Sequence, residues 1–342
     1  MADRSDALTE AVQSARAAGQ RVSILGSGSK GFLTSTDADT GSRILSTSEH
    51  EGIEDYRPDE LVVTVRTGTA LRTLRQSLAR EGQMLAFEPP EYRGLGTVGG
   101  AVAAGLAGPG RPWRGAVRDA VLGITLINGL GERLTFGGQV MKNVAGFDVS
   151  RLQAGAFGIF GVLLRVSLRV IPLPQAERTC VLELDRAAGH AWMVRMAALP
   201  LPITAACWLD GRLHVRLSGA EAAVQRAAGH IGGDTSADTG FWAALRDQSL
   251  PFFREGDLAC RYVAPATPLA KADALIDWNG AWRWARAEGP DGFRPFGSGF
   301  ARHRCRDAGG NAVLAKYQQR LKLAFDPDNL FNAELTNADV AA

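Results

Sequence analysis

Gly26-Ser27-Gly28-Ser29-Lys30-Gly31 places three glycines and two hydroxyls within six residues, directly after an apolar run. Consecutive backbone N–H groups in such a loop can form an anion-binding nest without a helix dipole. Read alone, the loop fits a plain surface turn as well as a phosphate site. It is also a literal G-x-G-x-x-G, but a Rossmann turn must open straight into a helix whose N-terminus meets the pyrophosphate. Phe32 is followed by Leu33-Thr34-Ser35-Thr36-Asp37-Ala38-Asp39-Thr40-Gly41, a polar, β-branched stretch in which no helix is expected. Gly94-Leu95-Gly96-Thr97-Val98-Gly99-Gly100-Ala101-Val102-Ala103-Ala104-Gly105 forms a second station made almost wholly of small residues, whose backbone can approach a ligand closely. A third runs from Lys142-Asn143-Val144-Ala145-Gly146-Phe147-Asp148 into Gly155-Ala156-Phe157-Gly158-Ile159-Phe160-Gly161-Val162. Three glycine stations in one domain are hard to explain by packing alone.

Acid–base chemistry is harder to find. His214 sits between Leu213 and Val215 on an expected strand, and His303 lies in the basic run Arg302-His303-Arg304. Neither has a second histidine or a carboxylate at useful spacing, so no catalytic residue is assigned. Cys180, Cys207, Cys260 and Cys305 form no C-x-x-C, so no metal or cluster site is expected. Arg93, Arg111, Arg114 and Arg118 border the second station and could reach a phosphate or a carboxylate, with the arginine-rich composition of the chain the preferred account. Lys30 fits a phosphate contact or a solvated charge. Trp278, Trp282 and Trp284 suit an aromatic wall, with a half-buried strand face the preferred reading. Arg294 could hold a carboxylate but cannot act as a base.

The elements that must carry these residues follow from periodicity. Ala7, Leu8, Ala11, Val12 and Ala15 share one helical face over residues 5–18, and a strand follows over residues 20–25. Residues 61–65 read as a strand, after which Thr69 could cap a helix carrying Leu71, Leu74 and Leu78 and closed by Gly82. Residues 121–127 and 133–136 flank Asn128-Gly129-Leu130-Gly131, a hairpin signal. The alternation Val162, Leu164, Val166, Leu168, Val170 predicts a strand that Pro172 and Pro174 end. A domain boundary is therefore placed there, giving domains 1–172 and 173–342. In the second part, strands are expected near residues 179–184, 203–209, 213–217 and 258–263 and helices near 189–198 and 220–228, with helices on one face of the sheet.

The chain has 342 residues, 46% of them hydrophobic, with a formal net charge of +2. That is enough for one substantial core or two, and too little charge for a nucleic-acid or anionic-membrane field. The N-terminus has acidic residues where a secretory signal needs a basic flank, and no apolar run approaches the roughly 20 residues that span a bilayer. A cytoplasmic location is expected, or one on the inner face of a membrane through a partner.

The three stations, in this order and spacing, resemble the flavin-binding domain of the vanillyl-alcohol oxidase family, of the p-cresol methylhydroxylase type. The resemblance implies an α+β fold: a two-subdomain FAD-binding domain followed by a smaller α+β cap. It implies that Gly26, Ser27, Gly28, Ser29, Lys30, Gly31 and Phe32 hold the FAD pyrophosphate. Gly96, Thr97, Val98, Gly99, Gly100 and Ala104 would contact the diphosphate and ribityl chain, and Gly155, Gly158, Ile159, Gly161 and Val162 would lie near the adenine end. Asp119, Gly146 and Asp148 match family positions read as turn-building. The tail around Asp326-Pro327-Asp328-Asn329-Leu330-Phe331-Asn332 resembles the family's ending, in which a helix stops and the chain returns to the core. Related catalytic subunits carry a cap motif like G-H-x-G-D-G-N-x-H. Here Gly229-His230-Ile231-Gly232-Gly233-Asp234-Thr235 is only a partial echo, better read as a helix end.

A complete flavin domain with a compact cap lacking that motif resembles the small FAD-binding subunits of complexes that oxidise glycolate or D-lactate. Such a subunit would work with a larger flavoprotein subunit and an iron–sulfur subunit on a small 2-hydroxy acid, with noncovalent FAD. The alternatives are a self-sufficient FAD-dependent alcohol or hydroxy-acid dehydrogenase, and a non-catalytic assembly subunit with a vestigial flavin site.

Overall fold

The computed structural model describes residues 2–31, 41–139, 148–236, 240–254, 258–286 and 312–332. The chain forms two compact units, one from residues 1–106, 116–172 and 306–342 and the other from residues 107–115 and 173–305.

The first unit opens with α1 (Ser5–Ala17), which buries Leu8, Val12 and Ala15 at helical spacing. It leads into β1 (Val22–Leu25), paired in parallel with β2 (Arg43–Ser46). Leu330 and Phe331 join Leu8, Val12 and Val22 in the core of this layer, and Phe331 makes a parallel bridge to Val22. The second layer begins with β3 (Ile53–Arg57), β4 (Val62–Arg66), α2 (Leu71–Arg80) and β5 (Gln83–Leu85). After α3 (Val98–Ala104), the single turns α4 (Arg111–Arg114) and α5 (Val117–Ala120) lead to β6 (Val121–Ile127) and β7 (Arg133–Gly137). A further turn, α6 (Val149–Leu152), precedes the long β8 (Val162–Pro172).

The resulting sheet is antiparallel, in the order β3-β4-β8-β6-β7 with β5 also paired to β8. No doubly wound parallel sheet exists among the described residues, and the α+β expectation holds. The expected hairpin is the β6–β7 pair, whose turn is held by Asn128 Oδ1 accepting from the N–H groups of Leu130 and Glu132. Thr69 does not cap α2. Ala70 occupies that position, and Thr69 Oγ1 instead accepts the Gly52 N–H at 2.9 Å, tying the start of β3 to the end of β4. Asp119 Oδ2 accepts the Ala116 N–H at 2.8 Å and Asp148 caps α6, so both build turns.

The second unit contains β9 (Ala176–Glu183), α7 (Arg186–Met196), β10 (Ile203–Leu209), β11 (Arg212–Gly219), α8 (Glu221–Ile231) and β12 (Asp234–Thr235). It continues through α9 (Phe241–Arg246), β13 (Leu258–Tyr262), β14 (Asp273–Asp277) and β15 (Trp282–Arg286). The sheet order is β12-β9-β11-β10-β14-β15-β13. Helices do not cover one face only, as the sequence suggested. Ala206 and Trp208 of β10 pack with Trp192 and Val224 from α7 and α8, whereas Ala205 and Cys207 pack with Phe241, Trp242, Phe252 and Phe253. A strand buried on both sides reads as a continuous apolar run, and Ile203–Leu209 does. The last described helix, α10 (Ala312–Phe325), returns to the first unit.

His50 ties the N-terminal segment to the first unit. It is buried, its Nδ1 accepts the Arg4 N–H at 3.0 Å, and it stands 3.7 Å from Asp3 Oδ1. Burial pushes its pKa below the usual 6.5, against the opposing pull of the Asp3 carboxylate; Arg66 lowers it further and Glu54 raises it. A depressed histidine pKa contributes stability that is fully present above the unfolded value and lost as pH falls below it. Wild-type stability should therefore drop more steeply between about pH 7 and pH 5 than that of His50→Gln. Parallel slopes in denaturant titrations across that window would remove His50 as the source.

Candidate functional site

A cavity of about 780 Å³, open mouth included, lies within the first unit. The first station lines it from Gly26 through Gly31, the second through Thr97, Gly99, Gly100 and Ala104, and the third through Gly158 and Gly161. The fold thus brings all three stations to one space. Ala103 of the second station, Phe157 of the third and Asn332 of the tail complete the wall, together with Ile24, Leu25, Thr47, Thr67 and Leu163, which no local motif singled out. Gly96, Val98, Gly155, Ile159 and Val162 do not line it, and Phe32 lies outside the described residues. Val98, Ile159 and Val162 are instead core residues, buried in the packing beneath the wall.

The glycines act first on packing. A Cβ on Gly26 would stand 2.5 Å from Thr97 Oγ1, so its absence lets the first loop rest on the second station. That hydroxyl accepts the Gly100 N–H at 3.2 Å and caps α3. Gly99 lies against Thr67, where a Cβ would come 2.6 Å from Thr67 Cβ, and its N–H donates to Thr67 O at 2.8 Å. The Val98 N–H donates to Thr69 O at 2.9 Å, so the start of α3 is stitched to the β4–α2 connection. Gly105, at φ +65°, would push a Cβ to 2.7 Å from Gly155 Cα. Across that contact the Gly155 N–H donates to Val102 O at 3.0 Å and the Phe157 N–H to Ala103 O at 2.8 Å. These amides are committed to one another, so the second and third stations offer small-residue walls more than donors. Gly28 differs: at φ +73° it has open space where a Cβ would stand, and it shapes the first loop.

Lys30 carries the only charge among the described lining residues, and no carboxylate is among them. Its Nζ is buried, 5.8 Å from the centroid of the Tyr92 ring. A glycine-built wall that includes the Lys30 ammonium fits an anionic group such as a diphosphate. The arginines beside the second station do not line the cavity. Arg111 lies over the Trp278 ring at 4.5 Å, and Arg114 donates to Ser218 Oγ at 3.2 Å within the second unit. His214 stacks on Phe241 at 3.8 Å, and His230 lies in the last turn of α8. Trp282 and Trp284 lie on β15 and Trp278 in the turn before it, the strand-face reading for the pair. His303 and Arg294 lie outside the described residues. Among the described residues, no three His, Cys, Asp or Glu side chains are placed to hold a metal ion, and no helix is long and apolar enough to cross a membrane.

The parallel β1–β2 layer, the antiparallel sheet and the glycine-lined cavity between them define a flavin-binding domain, and residues 1–137 match the FAD binding domain family. A solved structure of alkyldihydroxyacetonephosphate synthase shares the fold at a TM-score of 0.68, with 14% identity over 96% of this chain and 74% of that one. A D-lactate dehydrogenase of Anaerostipes hadrus is 29% identical over 136 residues, 40% of this chain and 28% of that protein. Glycolate oxidase subunit GlcE of Escherichia coli (strain K12) is 41% identical over 341 residues, 96% of each chain. This chain belongs to the GlcE family of FAD-dependent oxidoreductase subunits.

Proposed function

We propose that the chain is the FAD-carrying small subunit of a complex that oxidises glycolate or D-lactate to the 2-oxo acid. Its partners in that complex are a larger flavoprotein subunit and an iron–sulfur subunit. The observation that carries the reading is the end-to-end match to GlcE, a glycolate oxidase subunit. The first loop, Gly26 to Gly31, with Lys30, holds the diphosphate of FAD, and Thr97, Gly99, Gly100, Ala104, Gly158 and Gly161 wall the rest of the cofactor. FAD, when bound, supplies the hydride-accepting chemistry. The chain's own residues bind and orient it.

The reading takes binding as noncovalent, because no Cys, His or Tyr of the sequence stands at a motif position that matches a family link. Oxidation of a hydroxy acid also needs a base for the hydroxyl proton, and no histidine or carboxylate is among the described lining residues. The reading assigns turnover to the assembled complex. The test is to purify the chain alone and with its partners, precipitate each with acid, and follow glycolate-dependent dye reduction. The lone chain is expected to release all its flavin into the supernatant and to turn over about 10²–10⁴-fold more slowly than the complex, the usual worth of a positioned base. Rapid glycolate or D-lactate oxidation by the lone chain would instead establish a self-sufficient dehydrogenase.

A further inference from the structure

One polar side chain in the cavity wall reaches two glycine stations at once. Asn332 is 4% exposed, and its Oδ1 accepts the Ile24 N–H at 2.9 Å while its Nδ2 donates to Phe157 O. One partner is a fixed donor and the other a fixed acceptor, so only one orientation of the carboxamide satisfies both. Ile24 lies two residues before Gly26 of the first loop, and Phe157 precedes Gly158 of the third station; all four line the cavity. We propose that Asn332 is a positioning residue for the cofactor: its carboxamide clamps the first glycine loop to the third station and so sets the shape of the diphosphate cavity. The proposal rests on the reading of this cavity as the FAD site.

Three further observations support it. Gly158 has φ +75°, and a Cβ there would come 3.1 Å from Asn332 Nδ2, so the glycine makes room for the carboxamide. Phe157 has φ +50°, a conformation that a bulky residue keeps only when its surroundings over-determine it. Asn332 is itself held from behind. Its N–H donates to Val22 O at 3.0 Å, and Lys322 Nζ donates to both Ile159 O and Phe331 O, linking the same strap to the same turn. Aspartate has nearly the shape of asparagine, but its carboxylate cannot donate to Phe157 O and would face that oxygen with a negative charge. A protonated aspartic acid can both donate and accept.

The experiment measures FAD affinity by fluorescence titration of the full chain as wild type, Asn332→Asp and Asn332→Ala from neutral to mildly acidic pH. Apoprotein unfolding is recorded alongside. Asn332→Asp is expected to bind FAD about tenfold or more weakly at neutral pH, the loss that follows when a buried carbonyl loses its donor. Its affinity should recover on acidification as the new carboxyl takes a proton, whereas Asn332→Ala should show the loss without the recovery. Lys30 in the cavity wall and Lys322 and Asp326 on the strap are common to all three proteins, so the ratio to wild type isolates the new carboxyl. Wild-type affinity in Asn332→Asp at neutral pH would overturn the clamp, as would equal, pH-independent losses in both variants. If Asn332→Asp does not fold, Asn332→Ser takes its place, and wild-type affinity in that folded variant would be the overturning result. A wild-type chain that binds no FAD would overturn the flavin reading itself, and this inference with it.

Discussion

Replacing Asp326 with alanine should destabilise the first unit by about 3–5 kcal/mol, the cost of breaking a buried ion pair from one side. Asp326 is fully buried, and its carboxylate accepts from Lys322 Nζ at 2.5 Å and from the N–H groups of Leu330 and Phe331 at 2.8 and 2.9 Å. It also lies against Gly129, where a Cβ would come 2.8 Å from Asp326 Cα, so the β6–β7 turn is shaped to receive it. Alanine would take this carboxylate away from the part-buried Lys322 ammonium and would free the strap that carries Phe331 into the core of the β1–β2 layer. Replacing both partners, as Lys322→Met with Asp326→Leu, should cost less than Asp326→Ala, because no charge is then stranded. Denaturant unfolding of the three proteins tests this, and a loss below about 1 kcal/mol for Asp326→Ala would mean that the pair contributes no more than an exposed one.

Gly105→Ala should lower FAD affinity at least tenfold, about 1.4 kcal/mol, although Gly105 does not line the cavity. The added Cβ meets the backbone of Gly155, at 2.7 Å from its Cα and 2.8 Å from its nitrogen, and backbone atoms cannot swing aside as a side chain would. The substitution also puts alanine at φ +65°, which L-residues resist. Relief requires the third station to move off the second, and the cavity wall moves with it. Gly229→Ala, inside α8 with open space around the new Cβ, is the matched control. It should leave flavin affinity unchanged and raise stability slightly, since alanine is the better helix former. Equal flavin affinity in Gly105→Ala and wild type would show that contact between the stations does not shape the site.

What depends on near neighbours is legible in the residues themselves. Helical spacing marks α1 and α2, and alternation marks β8. Asn128-Gly129 marks the hairpin turn, in which the Asn128 side chain bonds to Leu130 and Glu132 within five residues. Gly26-Ser27-Gly28 was visible as a loop because glycine's freedom is a local property. What depends on residues far apart in the chain emerges only on folding. Nothing local to Thr69 reveals that its hydroxyl will meet Gly52, and nothing local to Asn332 reveals Ile24, 308 residues earlier, or Phe157. Gly99, Gly105 and Gly155 stood out as candidates for ligand approach. Only the fold separates the glycines that let backbone meet backbone from those, such as Gly28, that shape an open loop. The second face of the cap sheet was hidden for the same reason: Ala205 and Ala206 look alike in sequence, and they differ only in which helices the sheet places over them. Local patterns are set by short-range sterics and periodicity, whereas a binding cavity is set by contacts whose partners only the closed chain brings together.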